Sequence, residues 1–223
     1  MSLVECVPNF SEGRDQSTID AIRDAIASVD GIVVLDVSSD PSHNRTVVTF
    51  VAPVEKAAEA AFRGIKVASE RIDLTKHSGE HPRIGATDVC PFIPLEGASM
   101  EDCVVLARTL GERVGSELGI PVFLYERAAS RPDRTNLADI RRGEFELARE
   151  ELGKNPNRVP DFGPNKIHPT AGATVIGARP FLVAYNVYLG GRENLQVAKN
   201  VAKAVRGSSG GLKGVKGLGM EVD

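Results

Sequence analysis

The order of strand-like and helix-like stretches constrains the fold of this sequence more than any other feature. Up to residue 94 the pattern predicts a β-α-β-β-α-β order, and a further helix and strand follow. The segment that joins Asp36 to Thr46 is too short for a crossover connection, so the strands on either side of it must be antiparallel neighbours. We therefore expect an α/β fold, an α+β sandwich in which helices cover one face of a mixed sheet. The predicted strands are residues 3–7, 31–36, 46–51, 89–94 and 121–125, and the predicted helices are residues 16–29, 54–72 and 99–118.

The predicted helices and strands of the second half of the chain are less regular. Short helices are predicted over residues 136–142 and 144–152, and a loop rich in proline and glycine over residues 161–174. A short strand at 175–178 follows. The tail then predicts a β-α-β order, with strands at 181–189 and 214–222 around a helix at 193–205. Half of a β-α-β-β-α-β unit leaves a strand edge uncovered, which favours a homodimer.

Composition excludes several classes of function. The 223 residues carry a net charge of −3 and no tryptophan, and aromatic residues make up 5%, so neither a basic footprint nor a base-stacking platform for nucleic acid is indicated. No signal peptide and no apolar run of membrane-spanning length is visible, so no membrane association is expected. Three cysteines without a C-x-x-C spacing are typical of buried, reduced thiols, and we expect a cytoplasmic protein.

The richest stretch chemically runs from Lys76 to Leu95, where a polar loop leads into an apolar strand. His81 is its main candidate for catalysis, because Pro82 fixes the backbone beside it and ionisable groups flank it. The alternative is that His77 and His81 are surface histidines or an i, i+4 pair at a helix end. Gly79 and Pro82 disfavour a continuous helix, and the histidines lack the spacing of metal ligands.

Several segments together resemble the glutamate formimidoyltransferase family, the formiminotransferase part of formiminotransferase-cyclodeaminase. They are L-V-E-C-V-P-N-F-S-E-G at 3–13, S-H-N-R-T-V-V-T-F-V at 42–51, G-E-H-P-R-I-G-A-T-D-V-C-P-F-I-P at 79–94, D-F-G-P at 161–164 and G-A-T-V-I-G-A-R at 172–179. The resemblance covers the whole chain in order.

The resemblance implies a function and a domain organisation. The family moves a formimino group from N-formimino-L-glutamate to N5 of tetrahydrofolate during histidine breakdown, within two α/β halves of similar topology that enclose the folate. On that basis residues 1–178 are expected to be the N-terminal subdomain and residues 179–223 the start of a C-terminal subdomain that is truncated relative to the family. Tetrahydrofolate is then a co-substrate, no metal is required, and a separate cyclodeaminase is an expected partner.

The resemblance also assigns residues. The catalytic histidine of the family falls on His81. Its folate-binding segment falls on Gly163, Pro164, Asn165, Lys166, Ile167, His168, Pro169, Thr170, Ala171 and Gly172. Animal members carry an aspartate where this chain has Ser38, with Asp40 nearby.

We predict roles for the remaining polar residues of these motifs. His81 serves as general acid/base, with Asp88 or Glu80 as the acid that orients it. Arg45 and Arg83 are candidates for the carboxylates of the glutamate donor, or else surface or interdomain salt bridges. Asn9 and Asp40 complete the predicted substrate-binding set, and Lys166 and His168 are expected near the glutamate tail of the folate. Formyl transfer and a non-catalytic folate-binding role remain as alternatives.

Overall fold

The structure is a computed structural model that describes residues 2–183 and 187–221, and the chain divides into two compact units after Phe181. The first unit holds a seven-stranded mixed sheet. Its strands are β1 (Leu3–Cys6), β2 (Asn9–Phe10), β3 (Val33–Asp40), β4 (Arg45–Pro53), β5 (Thr87–Pro94), β6 (Val122–Glu126) and β7 (Thr174–Ala178).

The spatial order of the sheet confirms the mixed topology predicted from the sequence. β3 pairs with β4, β4 pairs with both β1 and β2, these pair with β5, and then β7 and β6 follow. All pairs from β3 to β5 are antiparallel, whereas β7 runs parallel to both β5 and β6. Asn9 of β2 lies between Val47 of β4 and Val89 of β5, so this short strand links the two strands that carry the predicted site.

Three long helices lie side by side against the sheet and bury its core. They are α1 (Gln16–Ala27), α2 (Val54–Arg71) and α3 (Met100–Glu117), and α2 contacts both of the others. In β4 the alternating pattern buries Val48, Phe50 and Ala52, while the residues between them are only partly covered. Asp15 and Ser99 cap α1 and α3 through their side chains.

Two short helices follow β6, and residues in or beside them contact the candidate site. They are α4 (Leu137–Ile140) and α5 (Glu144–Glu151), close to their predicted bounds. The second unit contains α6 (Leu195–Val205), also as predicted.

The structure corrects three strand predictions. Residues 38–40 extend β3 instead of belonging to a loop, because the β3–β4 hairpin continues to the Asp40–Arg45 pair. The predicted strand at 181–189 is irregular over 181–183 and 187–189, and residues 184–186 lie outside the described part of the chain. The predicted strand at 214–222 is irregular over 214–221, and Val222 also lies outside that part.

The predicted strand at 214–222 is irregular over its described residues for a physical reason. Gly214, Gly217 and Gly219 have little β propensity, and a strand needs a neighbour for its backbone hydrogen bonds. The division after Phe181 lies close to the predicted boundary at 178, but the assignment of the second unit to a further subdomain stays a prediction.

Glycine 115 allows α3 to approach the backbone at the start of the predicted folate-binding segment. A Cβ atom at Gly115 would lie 2.5 Å from the backbone nitrogen of Gly163, a distance that requires the backbone to shift. We expect Gly115→Ala to lower the free energy of unfolding by about 1–3 kcal/mol, as measured by urea denaturation. Ser116→Ala, at an exposed position of the same helix, is the control and should change stability by less than about 0.5 kcal/mol.

Candidate active site

The candidate site forms where two loops meet at the ends of β2, β4 and β5. One is the β3–β4 turn at residues 41–44, and the other is the loop at residues 72–86 that precedes β5. Asn44 joins them: its side-chain amide donates to the Ser78 carbonyl at 3.0 Å, and its Oδ1 accepts from the Gly13 backbone N–H at 2.9 Å. Asn44 has a φ of 49°, a left-handed conformation that asparagine tolerates better than most residues. The turn is therefore held in one position relative to the loop that carries His81.

His81 lies half-buried at this junction, with its imidazole against a guanidinium. Nη1 of Arg45 is 2.5 Å from Nδ1 and 2.6 Å from Nε2 of the ring. Nδ1 also lies 2.7 Å from the Pro82 carbonyl oxygen. A protonated Nδ1 donates to this carbonyl, which leaves the lone pair on Nε2, and a general base needs that lone pair.

Asp88 is the carboxylate beneath this contact. Asp88 is only 1% exposed to solvent. Oδ1 accepts from the Ile84 backbone N–H at 3.0 Å, and Oδ2 lies 3.5 Å from Nη1 of Arg45. Oδ2 also accepts a short hydrogen bond from Nη2 of Arg141. Asp88 therefore acts on His81 through Arg45, whereas the sequence prediction had it orient the imidazole directly.

Asn9 completes the support of Arg45. Its Oδ1 accepts from Nη2 of Arg45, and its Nδ2 donates to the Val7 carbonyl at 2.6 Å. The side chain is almost fully buried, so its contribution in this structure is to fix the Arg45 guanidinium. Contact of Asn9 with substrate remains a prediction.

Burial and positive charge shift the ionisation of these groups. The pKa of His81 is lowered to about 3, chiefly by burial and then by the charges of Arg45 and Arg141. The pKa of Arg45 is lowered to about 10 by burial, against the opposing effect of Asp88. His81 is therefore neutral in the free site at physiological pH.

Arg83 does not have the free guanidinium that its predicted substrate-binding role requires. Its Nη1 contacts Glu144 at 2.8 Å, and both terminal nitrogens contact the Glu146 carboxylate at 2.7–2.8 Å. Its Nε donates to Nδ1 of His77 at 3.2 Å. The structure thus favours the salt-bridge alternative, in which Arg83 fastens the His81 loop to the first turn of α5.

His77 belongs to the same fastening. Because its Nδ1 accepts from Arg83, its Nε2 carries the proton and donates to the Asn44 carbonyl at 3.1 Å. Burial lowers the pKa of His77. His77 therefore joins the two loops and is not arranged as a metal ligand.

Two further predicted residues lie apart from the imidazole. Glu80 is exposed, and its backbone N–H donates to the Ser42 carbonyl at 3.2 Å, so the structure gives no support for an orienting role of its carboxylate. Asp40 accepts from the backbone N–H groups of Ser42 and His43 and pairs with the His43 ring at 3.0 Å. These backbone hydrogen bonds lower the pKa of Asp40, which here stabilises the turn.

The predicted folate-binding segment borders both ends of the His81 loop. The Thr170 carbonyl accepts from the Leu74 N–H, and the Ala171 carbonyl accepts from the Ala86 N–H, each at 2.8 Å. Within the segment, Nδ1 of His168 accepts from the Ala171 N–H at 3.0 Å, and Lys166 is exposed. The segment and the loop therefore form one connected structure.

A small cleft opens between these groups, with about 170 Å³ of empty space, part of it open to solvent. It is smaller than the pockets of about 300–1,000 Å³ that hold a complete small-molecule ligand. Its lining consists of Phe10, Ser11, His43, Asn44, Arg45, His77, His81, Arg83 and Asp88.

Sequence reasoning missed Arg141, Glu144 and Glu146, which reach the site from the region after β6. They are more than 50 residues from their partners, and a charged segment between short helices gives no sign of which charges turn inward. Asn44 could have been identified from the sequence, because it stands between His43 and Arg45 in the segment S-H-N-R at 42–45.

In the described ranges, no cluster of three or more His, Cys, Asp or Glu side chains is arranged to hold a metal ion. The helices of these ranges also include none with the length and apolar character needed to cross a membrane.

Comparison with known proteins places these residues in one family. The family described as Formiminotransferase domain, N-terminal subdomain, matches residues 3–179. A protein of Thermoplasma acidophilum named Glutamate formimidoyltransferase is 57% identical over 219 residues, 98% of this chain and 72% of that protein. A protein of the same name from Streptococcus pyogenes serotype M1 is 50% identical, over 99% of this chain and 73% of its own length. The Formimidoyltransferase-cyclodeaminase of Mus musculus is 51% identical over 97% of this chain and 41% of its own.

The protonation state of His81 is open to direct measurement. We expect the ring resonances of His81 to titrate far below the usual histidine pKa of about 6.5 in an NMR titration of the free protein. Arg45→Gln removes a repelling positive charge, so the pKa of His81 should rise. His168 serves as the internal reference, because burial alone accounts for its lowered pKa and Arg45→Gln should not move it. An unchanged His81 titration in the variant would contradict the electrostatic account.

The pairing of Arg83 with Glu146 should make a pH-dependent contribution to the free energy of unfolding. The hydrogen bond from Arg83 is the main cause of the lowered pKa of Glu146. Stability from this pairing is present above the pKa that Glu146 has in the unfolded chain, and it is lost as the pH falls through the lower folded pKa. Glu146→Gln should cost about 0.5–1 kcal/mol at pH 6, because Glu146 is half-exposed, and less at pH 3. Urea denaturation at both pH values measures this, and Glu150→Gln on the exposed side of α5 should show no such dependence.

Proposed function

The chain belongs to the formiminotransferase family, and from that premise we propose that it transfers the formimino group of N-formimino-L-glutamate to N5 of tetrahydrofolate. The products are 5-formiminotetrahydrofolate and L-glutamate. The observation that carries the proposal is the neutral, half-buried imidazole of His81, held between the Pro82 carbonyl and the Arg45 guanidinium in the matched region.

His81 supplies the proton transfers that this reaction needs. The transfer forms a bond between N5 of the folate and the formimino carbon, and it breaks the bond from that carbon to the glutamate nitrogen. His81 accepts at Nε2 the proton that N5 loses as it attacks, and the imidazolium returns it to the departing nitrogen. The proton count balances, and the imidazole is neutral again after each turnover.

The other residues of the site orient these groups. Asn9 and Asp88 hold Arg45 beside the ring, where its guanidinium is in reach of an anionic donor. The Pro82 carbonyl keeps the proton on Nδ1, so that Nε2 is the reactive nitrogen. Asp40 acts at a distance by holding the turn that carries His43 and Asn44.

Residues 163–172 are the proposed folate-binding segment. Their backbone hydrogen bonds to Leu74 and Ala86 keep a folate bound there next to the loop of His81. The exposed Lys166 offers a cation for the carboxylates of the glutamate tail. We propose tetrahydrofolate as a co-substrate, with no metal assigned to the reaction.

Three further proposals concern the setting of the protein. Three buried free cysteines support a reducing, cytoplasmic environment. We propose that the product passes to a separate cyclodeaminase, because relatives such as the mouse protein have names that combine the two activities. A homodimer stays a prediction that has lost its original support, since the strands expected to leave an open edge are irregular where they are described.

The test is turnover of N-formimino-L-glutamate with tetrahydrofolate by the wild type and by His81→Ala. Loss of the general acid/base should reduce kcat by about 10²- to 10⁴-fold. Lys76→Ala, at an exposed position in the same loop, is the matched control and should retain wild-type turnover. An active His81→Ala variant would rule out the proposed role of His81, and N-formyl-L-glutamate as donor tests the formyl alternative in parallel.

A further inference from the structure

One group of side chains in and beside the cleft carries more positive than negative charge. Arg45 and Arg141 both contact the same oxygen of Asp88, Oδ2, while the other oxygen is taken by a backbone N–H. Arg83 shows the opposite arrangement, with one guanidinium paired to two carboxylates. With His81 neutral, the group of Arg45, Arg141, Asp88 and His81 carries one positive charge in excess.

Arg141 is held in place, yet its hydrogen-bonding capacity is not filled. Its side chain is 13% exposed, and Nε is buried without a hydrogen-bond partner among the described residues. Arg158 fixes the backbone on both sides of it by donating to the Ile140 and Arg142 carbonyls, each at 3.0 Å. A buried guanidinium with an unused donor costs free energy unless a further acceptor arrives.

We propose that Arg141 and Arg45 together bind the α-carboxylate of the amino-acid donor, and that Arg141 thereby determines specificity for it. This inference rests on the proposed function. A carboxylate offers two acceptor oxygens to two guanidiniums that now share one, and its charge cancels the excess.

Geometry selects the α-carboxylate over the γ-carboxylate. Nη1 of Arg45 lies 2.6 Å from Nε2 of His81, so an anion on this guanidinium lies within a few ångströms of the proton acceptor. The donor nitrogen that leaves is attached to the carbon that bears the α-carboxylate, whereas the γ-carboxylate lies two methylene groups further away. Binding at this position also draws Arg45 away from the imidazole and exposes Nε2 to the reacting nitrogen.

The experiment pairs a protein variant with a substrate variant. Arg141→Gln should raise KM for N-formimino-L-glutamate by about 10- to 100-fold and leave KM for tetrahydrofolate unchanged. With N-formimino-4-aminobutyrate, which lacks the α-carboxylate, the wild type should already show this loss and Arg141→Gln should add none. With N-formimino-2-aminobutyrate, which lacks the γ-carboxylate, Arg141→Gln should lose the full factor. Arg142→Gln is the matched control, because its exposed guanidinium pairs with Asp139.

Several outcomes overturn the inference. Equal losses for Arg141→Gln with all three donors would mean that Arg141 only positions Asp88, and a raised KM for tetrahydrofolate would place Arg141 at the folate. If Arg141→Gln does not fold, Arg141→Lys keeps the charge and should show a smaller loss with the same dependence on the α-carboxylate; a loss with all donors alike counts against the inference.

Binding separates this inference from the proposed function. If the wild type transfers nothing, the proposed function fails, and calorimetric titration of L-glutamate into the wild type and Arg141→Gln then decides the inference. Binding to the wild type that weakens at least tenfold in the variant supports it. Equal affinity in the two proteins, or no binding to either, overturns it.

Discussion

The buried carboxylate of Asp88 is the interaction on which the rest of the site depends. It stands at the start of β5, where its backbone is fixed by the sheet, and it contacts groups from three other parts of the chain. Ile84 belongs to the loop before β5, Arg45 to β4, and Arg141 follows α4. A buried charge is tolerated only when it is paired and hydrogen-bonded, a requirement that these groups meet for Asp88. The position of Arg45, and through it the environment of His81, follows from that requirement.

The sheet makes this convergence possible. β2 contributes only two residues, but they pair with both β4 and β5, so Asn9 lies between the strand that carries Arg45 and the strand that carries Asp88. The register of the β2–β5 pair shifts between Asn9 and Phe10, and Phe10 and Ser11 line the cleft. Rigid strands thus supply the anchoring residues, while His81 comes from a loop held by side chains of its neighbours.

The local sequence pattern predicted most of the fold and part of the candidate site. The order of elements and the antiparallel β3–β4 pair follow from periodicity and loop length, which are local properties of the sequence. The motifs that resemble the formiminotransferase family brought forward His81, Arg45, Asn9 and Asp88, and the structure places these four together. The local sequence could not predict the partners of Arg83, because a guanidinium bound to Glu144 and Glu146 has the same local sequence as one that is free for a ligand. Arg141 could not be predicted for the same reason. A β-like pattern does not reveal whether a partner strand is present, so it predicted strands in the tail where the described residues are irregular.

The electrostatics of the cleft reconcile two demands on His81. A base must be neutral before it can accept a proton, and the burial and the two guanidiniums that lower the pKa of His81 to about 3 ensure this in the free site. A base with so low a pKa is weak, however, because proton transfer is most effective when the pKa lies near the working pH. A bound anion changes the balance: it neutralises the positive charge beside the ring, which raises the pKa of His81 when the reacting nitrogen is at hand. The same cations can therefore keep the imidazole unprotonated while the cleft is empty and let it become a competent base once the acidic donor is bound.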